Sequence, residues 1–68
     1  MTGEIKRLVS DKRFGFIRDN TTGVEYFFHF SAVKNAKPES LHEGQEVSFE
    51  NTESTKGPRA EDVFIVTP

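Results

Sequence analysis

Hydrophobic and polar residues alternate along five short segments of this 68-residue chain, and no segment has the spacing of an amphipathic helix. Alternation with a period of two is typical of strands that bury one face. We therefore predict five strands, at Gly3 to Val9, Phe14 to Arg18, Tyr26 to Phe30, Glu46 to Glu50 and Arg59 to Thr67. This spacing favours an all-β barrel or sandwich, formed by a single domain over residues 1–68. A closed barrel removes the exposed edges that so short a sheet would otherwise leave.

Three segments depart from simple alternation. Arg7 and Leu8 break the period of the first strand, which predicts a β-bulge or a strong bend there. Ser31 to Val33 is predicted to form a single helical turn with Ser31 as its cap. Asn51 to Pro58 is polar and contains turn residues, so it is predicted to be a loop.

The second and third strands hold six of the eight aromatic residues, and both of their faces are apolar. Neighbouring side chains of a strand point to opposite faces. The face assigned to the core carries Ile17, Tyr26 and Phe28. The opposite face carries Phe14, Phe16, Phe27 and His29, with Phe30 at its edge. This second face is either covered by another layer or left open to bind a flat ligand.

The chain has enough other apolar residues to fill a small barrel. The predicted core consists of Ile5, Ile17, Tyr26, Phe28, Val47, Phe49, Val63 and Ile65. Leu41 is expected to anchor the long connection after the third strand, and Phe64 and Val66 are further candidates for the interior. Because a barrel has one interior, the outer phenylalanines are expected to stay exposed. The alternative is that they are core residues too.

Charge is unevenly distributed along the chain, whose net charge is −2. Residues 1–18 contain five basic and two acidic side chains, whereas residues 39–53 contain five glutamates and no lysine or arginine. The basic segment flanks the aromatic hairpin. A charge cluster alone is also typical of a solvated surface and does not indicate a binding site. The basic cluster indicates one only because it lies beside the aromatic residues.

Flat rings surrounded by cations are typical of a surface that binds unpaired nucleic acid. A nucleobase stacks on an aromatic ring through its π-face, and only unpaired bases expose that face. We therefore predict that the outer face binds single-stranded RNA or DNA. The side chains expected to contact phosphates or base edges are Lys6, Arg7, Lys12, Arg13, Lys56 and Arg59.

The sequence gives little support to other classes of function. His29 and His42 have no cysteine partners and no metal-ligand spacing, and the chain has no catalytic grouping and no glycine-rich phosphate loop. We therefore expect no enzyme, cofactor, metal ion or small-molecule substrate. No apolar run approaches the roughly 20 residues of a membrane span, and the N-terminus lacks the apolar region of a signal peptide. We expect a monomeric cytoplasmic protein, with a β-barrel that binds a protein partner as the alternative function.

Four segments of the chain carry a resemblance to a known family. Lys12 to Ile17 resembles K-G-F-G-F-I and Tyr26 to Val33 resembles V-F-V-H-F-S-A-I, the two ribonucleoprotein motifs of the cold-shock domain. Residues 41–49 and 56–60 add two matches in the same order, so the resemblance covers essentially the whole chain. It implies a five-stranded antiparallel OB-fold barrel that binds single-stranded RNA and DNA, as an RNA chaperone or a regulator of transcription or translation. By this resemblance, binding positions fall on Lys12, Phe14, Phe16, Phe27, His29 and Phe30, and contact positions of basic or polar character on Lys56 and Arg59.

The chain departs from the family pattern at one flank of the aromatic face. Arg7 stands where the family has a stacking tryptophan, and Leu8 where it has a phenylalanine. Arg13 replaces the glycine of the first motif, and Pro38 lies where many members carry a loop phenylalanine. The chain thus has fewer rings and more cations at this flank. We expect its affinity to depend more strongly on salt, because each cation that contacts a phosphate displaces counterions.

Overall fold

The computed structural model describes residues 1–54 and 57–66. Within them are five strands: β1 (Thr2–Val9), β2 (Phe14–Asp19), β3 (Glu25–His29), β4 (Glu46–Ser54) and β5 (Gly57–Ile65). Short 3₁₀ turns occupy Ser10–Lys12, Phe30–Ala32 and Pro38–Ser40. All five predicted strands are present, and the helical turn after the third strand begins one residue earlier than predicted.

The strands β4 and β5 form a longer hairpin than alternation predicts. They pair from Glu50 opposite Glu61 to Ser54 opposite Gly57. The loop predicted for Asn51 to Pro58 is therefore wrong over most of its length. Backbone groups make the ladder, so polar side chains on both faces do not prevent it. A pattern of alternation detects only strands that bury one face.

The five strands close into a barrel in the order β1-β2-β3-β5-β4. Four of the neighbouring pairs are antiparallel. The remaining pair, β3 with β5, is parallel and places Phe27 beside Arg59. The predicted five-stranded barrel is confirmed, with this one parallel seam. The seam matters for function because it brings the last strand against the aromatic hairpin.

The barrel interior is apolar, and most of it was predicted. The buried apolar residues are Ile5, Ile17, Tyr26, Phe28, Phe30, Ala32, Leu41, Val47, Phe49, Ala60 and Val63. Ile65 is only partly buried against this cluster. Fully burying an aliphatic or aromatic side chain contributes about 1.5–3 kcal/mol, so this cluster is the main source of stability.

A bulge in β5 turns Phe64 away from the interior. Asp62 has a left-handed backbone with φ of 49°, and the β4–β5 register shifts between Ser48 and Glu50. Val63 then faces the core, whereas Phe64 is 44% exposed and Val66 is 50% exposed. The prediction that Phe64 and Val66 lie inside is therefore wrong, because the bulge resets the alternation.

The bulge predicted in β1 is confirmed. Ile5 pairs with Ile17, but the next pair joins Arg7 to Phe16, so Lys6 is the extra residue. Residues directly opposite each other on paired strands share a face. The bulge therefore leaves Ile5 in the core and places Arg7 on the outer surface next to Phe16.

The turn between β2 and β3 is held by a buried carboxylate. Asp19 is 4% exposed, and its Oδ2 accepts a hydrogen bond from the Thr22 hydroxyl at 2.7 Å. The backbone N–H groups of Thr21 and Thr22 also donate to the Asp19 carboxylate. The Thr22 hydroxyl, helped by these N–H groups, lowers the pKa of Asp19. The ionised carboxylate thus closes the turn that sets the register of the aromatic hairpin.

Candidate nucleic-acid interface

Three phenylalanine rings form one cluster on the outer surface of β2 and β3. The centroid of the Phe14 ring lies 5.9 Å from that of Phe16 and 5.3 Å from that of Phe27, and the Phe16 and Phe27 centroids are 6.2 Å apart. These separations lie in the range of favourable aromatic pairs. All three side chains are partly exposed. The rings therefore hold one another in place and still present surface to a ligand.

Gly15 permits this arrangement from within β2. A Cβ at this position would lie 2.6 Å from the Arg7 carbonyl oxygen and 2.9 Å from Cε1 of Phe28. Only glycine lets β1 and the core approach so closely. The residues on either side of it, Phe14 and Phe16, are then carried on the outward face of a tightly curved strand.

His29 completes the cluster by pairing with Phe14 across the hairpin. Its Nδ1 accepts a hydrogen bond from the backbone N–H of Ser31 at 3.1 Å and lies 2.9 Å from the Ser31 hydroxyl. His29, and not Ser31 as predicted, therefore caps the turn Phe30–Ala32. With Nδ1 as the acceptor, the proton of the neutral ring resides on Nε2. We call Phe14, Phe16, Phe27 and His29 the aromatic platform.

Phe30 does not belong to this platform. Its side chain is 7% exposed, and its ring centroid lies 6.1 Å from that of Phe28 inside the barrel. The backbone leaves the strand at Phe30 and enters the 3₁₀ turn, so strand alternation no longer applies. Phe30 therefore lies in the core cluster, and the binding role that the resemblance implies for it stays a prediction.

Two of the platform rings lie in a row that crosses four strands. The pairings place Arg7 opposite Phe16, Phe16 opposite Phe27, and Phe27 beside Arg59. With strands about 4.7–4.9 Å apart, the row spans about 14–15 Å. We call these four residues the arginine-flanked row. It offers two rings for stacking and one guanidinium at each end.

Arg59 is fixed at its end of the row by two contacts. Its Cζ lies 5.9 Å from the centroid of the Phe27 ring, near the outer limit of a cation–π contact. Its Nε lies 2.9 Å from Oε1 of Glu61. This is a charge contact rather than an aligned hydrogen bond, because the buried Nε has no well-aligned acceptor among the described residues. Glu61 was not identified from the sequence, although its two-residue spacing from Arg59 places both on one face of a strand.

The remaining predicted cations have different positions. Lys6 is exposed at the bulge, with Nζ 3.5 Å from Oε1 of Glu4. Lys12 and Arg13 are exposed where the chain enters β2, beside Phe14. Lys56 lies outside the described residues. The structure thus places Arg7 and Arg59 at the two ends of the row, and Lys12 and Arg13 just before Phe14 along the chain.

Arg13 has a left-handed backbone, with φ of 61°. Its N–H donates to the Ser10 carbonyl at 3.3 Å, and its own carbonyl accepts from the N–H of Phe30 at 2.9 Å. These bonds hold a conformation that costs a non-glycine residue about 1–2 kcal/mol. The family motif has glycine here, so the arginine adds a cation next to the platform at a cost in stability.

The described residues contain no group of three or more potential metal ligands. No helix in the part of the chain that the structure describes is long and apolar enough to cross a membrane.

Comparison with known proteins agrees with this fold. A family described as 'Cold-shock' DNA-binding domain matches residues 1–66. The chain is 43% identical over 65 residues to the Cold shock-like protein CspB of Escherichia coli (strain K12), covering 96% of this chain and 92% of the relative. It is 46% identical over 63 residues to the Cold shock-like protein CspE of Bacillus anthracis, covering 93% of this chain and 92% of the relative. The chain therefore belongs to the cold-shock domain family, whose members generally bind nucleic acids.

A solved structure supports the same fold. The structure described as drosophila Unr CSD456 matches with a TM-score of 0.78 and 25% sequence identity. The match covers 98% of this chain and 26% of that chain. The resemblance stated from the motifs is thus confirmed for family and fold.

Proposed function

We propose that this protein binds single-stranded RNA and DNA by stacking unpaired bases on the aromatic platform, with low sequence specificity. The observation that supports this most directly is the arginine-flanked row, in which Phe16 and Phe27 lie side by side between Arg7 and Arg59. Each stacked base contributes about 1–3 kcal/mol, and every base has a π-face. The Arg7 guanidinium and neighbouring lysines then contribute electrostatic attraction to the strand.

Binding of this kind has a direct consequence for folded RNA. The platform captures only bases that are unstacked from a helix, so it binds the open form of a hairpin and leaves the closed form alone. Mass action then shifts the hairpin toward its open form. The protein acts in this scheme as an RNA chaperone or as a regulator of transcription or translation, without nucleotide hydrolysis.

We also propose that one copy of the chain is sufficient for binding. The barrel is closed, so each described strand has neighbours on both sides. The binding row is built within one chain from β1, β2, β3 and β5.

The test is a titration of fluorescently labelled oligonucleotides followed by anisotropy. We expect single-stranded pyrimidine and purine oligomers to bind, and the matching duplex to bind at least about tenfold more weakly, since its bases are not free to stack. Equal affinity for duplex and single strand would contradict the stacking mechanism. Failure to bind any oligonucleotide would favour the alternative, a β-barrel that presents the platform to a protein.

A further inference from the structure

Arg59 differs from the cation at the other end of the row because a carboxylate fixes its position. Glu61 lies 2.9 Å from the Arg59 Nε, while the guanidinium carbon lies over the Phe27 ring, 5.9 Å from its centroid. Both charged side chains are about 40% exposed, at 41% and 38%. Among the described residues, Arg7 has no ion-pair partner. The two ends of the row are therefore chemically different.

The ion pair makes Arg59 a poor contact for phosphate. A phosphate that approached the guanidinium would also approach the Glu61 carboxylate, and the two anions would repel each other. The uncharged edge of a nucleobase meets no such repulsion. Because the carboxylate lies at Nε, the terminal nitrogens of the guanidinium carry the donors that are left for a ligand. Arg59 is thus better suited to a base edge than to the strand backbone.

The nucleobases differ in what they offer to such a pair of donors. Guanine carries two adjacent acceptors, O6 and N7, and an arginine binds both at once. Adenine offers N7 beside the N6 amino group, which is itself a donor and opposes the guanidinium. Thymine and uracil place a donor between their two acceptors. Cytosine has adjacent acceptors but a smaller ring system to stack. Only guanine combines the matching edge with the area of a purine.

We propose that Arg59, held by Glu61, makes the position on Phe27 selective for guanine. This inference rests on the proposed function and refines it: binding has low specificity along the strand, and one stacking position prefers guanine. Arg59 contacts the base edge directly, and Glu61 is a positioning residue. Arg7, at the other end of the row, contributes affinity without this selectivity.

The experiment measures affinity for a short thymidine oligomer whose central base is thymine, cytosine, adenine or guanine. We expect guanine to bind about five- to tenfold more tightly than adenine, the lower end of the range for a bidentate arginine–guanine pair, since the site is partly exposed. An oligomer with 7-deazaguanine, which stacks like guanine and lacks N7, should lose most of this advantage. Equal binding of guanine and adenine, or undiminished binding of 7-deazaguanine, would overturn the proposal.

Two variants test whether the guanine preference depends on Arg59 and Glu61. Arg59→Lys keeps the charge but cannot bind two acceptors in one plane, so the guanine-to-adenine ratio should fall close to one. Glu61→Gln removes the anchoring charge, so the ratio should fall while the affinity for the plain thymidine oligomer stays equal or rises. Circular dichroism checks that both variants are folded.

Arg7→Lys is the matched control at the other end of the row. It should leave the guanine-to-adenine ratio at the wild-type value. A ratio that survives Arg59→Lys, or that falls equally in Arg7→Lys, would overturn the assignment. The plain thymidine oligomer contains no guanine, so its binding reports stacking and phosphate contacts without the guanine preference. Loss of its binding in the wild type would mark failure of the proposed function and not of the guanine preference by itself.

Discussion

The barrel exposes a phenylalanine on two different faces, and only one of them has the character of a nucleic-acid interface. Phe27 lies within a cluster of rings and has Arg59 beside it. Phe64 lies opposite Ser48 and lines a shallow pocket with Glu50 and Asp62. Both rings offer surface for stacking. The carboxylates around Phe64 repel phosphate, so an exposed ring by itself does not define a site for nucleic acid.

Two bulges of the barrel create this difference. The bulge at Lys6 in β1 places Arg7 opposite Phe16 on the platform side. The bulge at Asp62 in β5 turns Phe64 outward, next to Glu50 and Asp62. Each bulge shifts the alternation of one strand by one residue and so changes which side chain is exposed. A β-bulge thus places Arg7 on the platform side and Phe64 on the other side of the barrel.

The largest effect is expected where a ring of the hairpin faces inward. Phe28→Ala removes a fully buried side chain and should cost about 3–5 kcal/mol of unfolding free energy, which a domain of this size can barely sustain. Phe27→Ala, its neighbour on the opposite face, should cost much less. Thermal denaturation followed by circular dichroism compares the two. Similar losses would mean that the platform is part of the core.

The second prediction concerns how the salt dependence of oligonucleotide binding changes when one charge is removed from either face. Arg7→Gln should weaken oligonucleotide binding and flatten the dependence of log Kd on log salt by about 0.7, the value expected for one phosphate contact with a single strand. Glu46→Gln, two residues from Ser48 on the Phe64 side of β4, should leave the slope unchanged. Affinities measured at several salt concentrations give both slopes. An unchanged slope for Arg7→Gln would show that this arginine does not contact phosphate.

The smallest effect is expected from the two left-handed residues. Arg13→Gly should raise the unfolding free energy by about 0.5–1 kcal/mol, because relief of the strained φ outweighs the added flexibility of the unfolded chain. It should also weaken oligonucleotide binding, because a cation beside the platform is lost. Urea denaturation and anisotropy measure the two changes.

Asp62→Gly is the matched substitution on the other face. Aspartate tolerates a left-handed backbone better than arginine, so its gain in stability should be smaller, and binding should not change. A lower unfolding free energy for Arg13→Gly would contradict the claim that the left-handed backbone at Arg13 is strained.

The sequence predicts the parts of the fold that depend on alternation and on motifs. Ile17 and Phe28 are buried and Phe16 and Phe27 are on the outer face, as the period of two requires. The bulge near Arg7 was predicted because two residues broke that period. Family membership followed from motif order, which does not depend on any contact.

The remaining features depend on where the backbone leaves its regular path. Phe30 points inward because the strand ends in a 3₁₀ turn, and Phe64 points outward because of the second bulge. Neither change has a strong signal in the residue pattern. The contact between Arg59 and Phe27 requires the parallel seam between β3 and β5, which joins segments far apart in the chain. Long-range pairing of this kind is set by barrel closure and not by local sequence.

The most direct test compares Phe27→Ala with Phe64→Ala in the same oligonucleotide titration. Both variants remove one partly exposed ring from the surface of the barrel, and both should remain folded. We expect Phe27→Ala to raise the Kd for a single-stranded oligomer by about 5- to 150-fold, corresponding to the loss of one stacked base at about 1–3 kcal/mol, and Phe64→Ala to leave it unchanged. Equal effects of the two substitutions on binding, or no effect of Phe27→Ala in a folded protein, would contradict the proposal that the aromatic platform is the nucleic-acid interface.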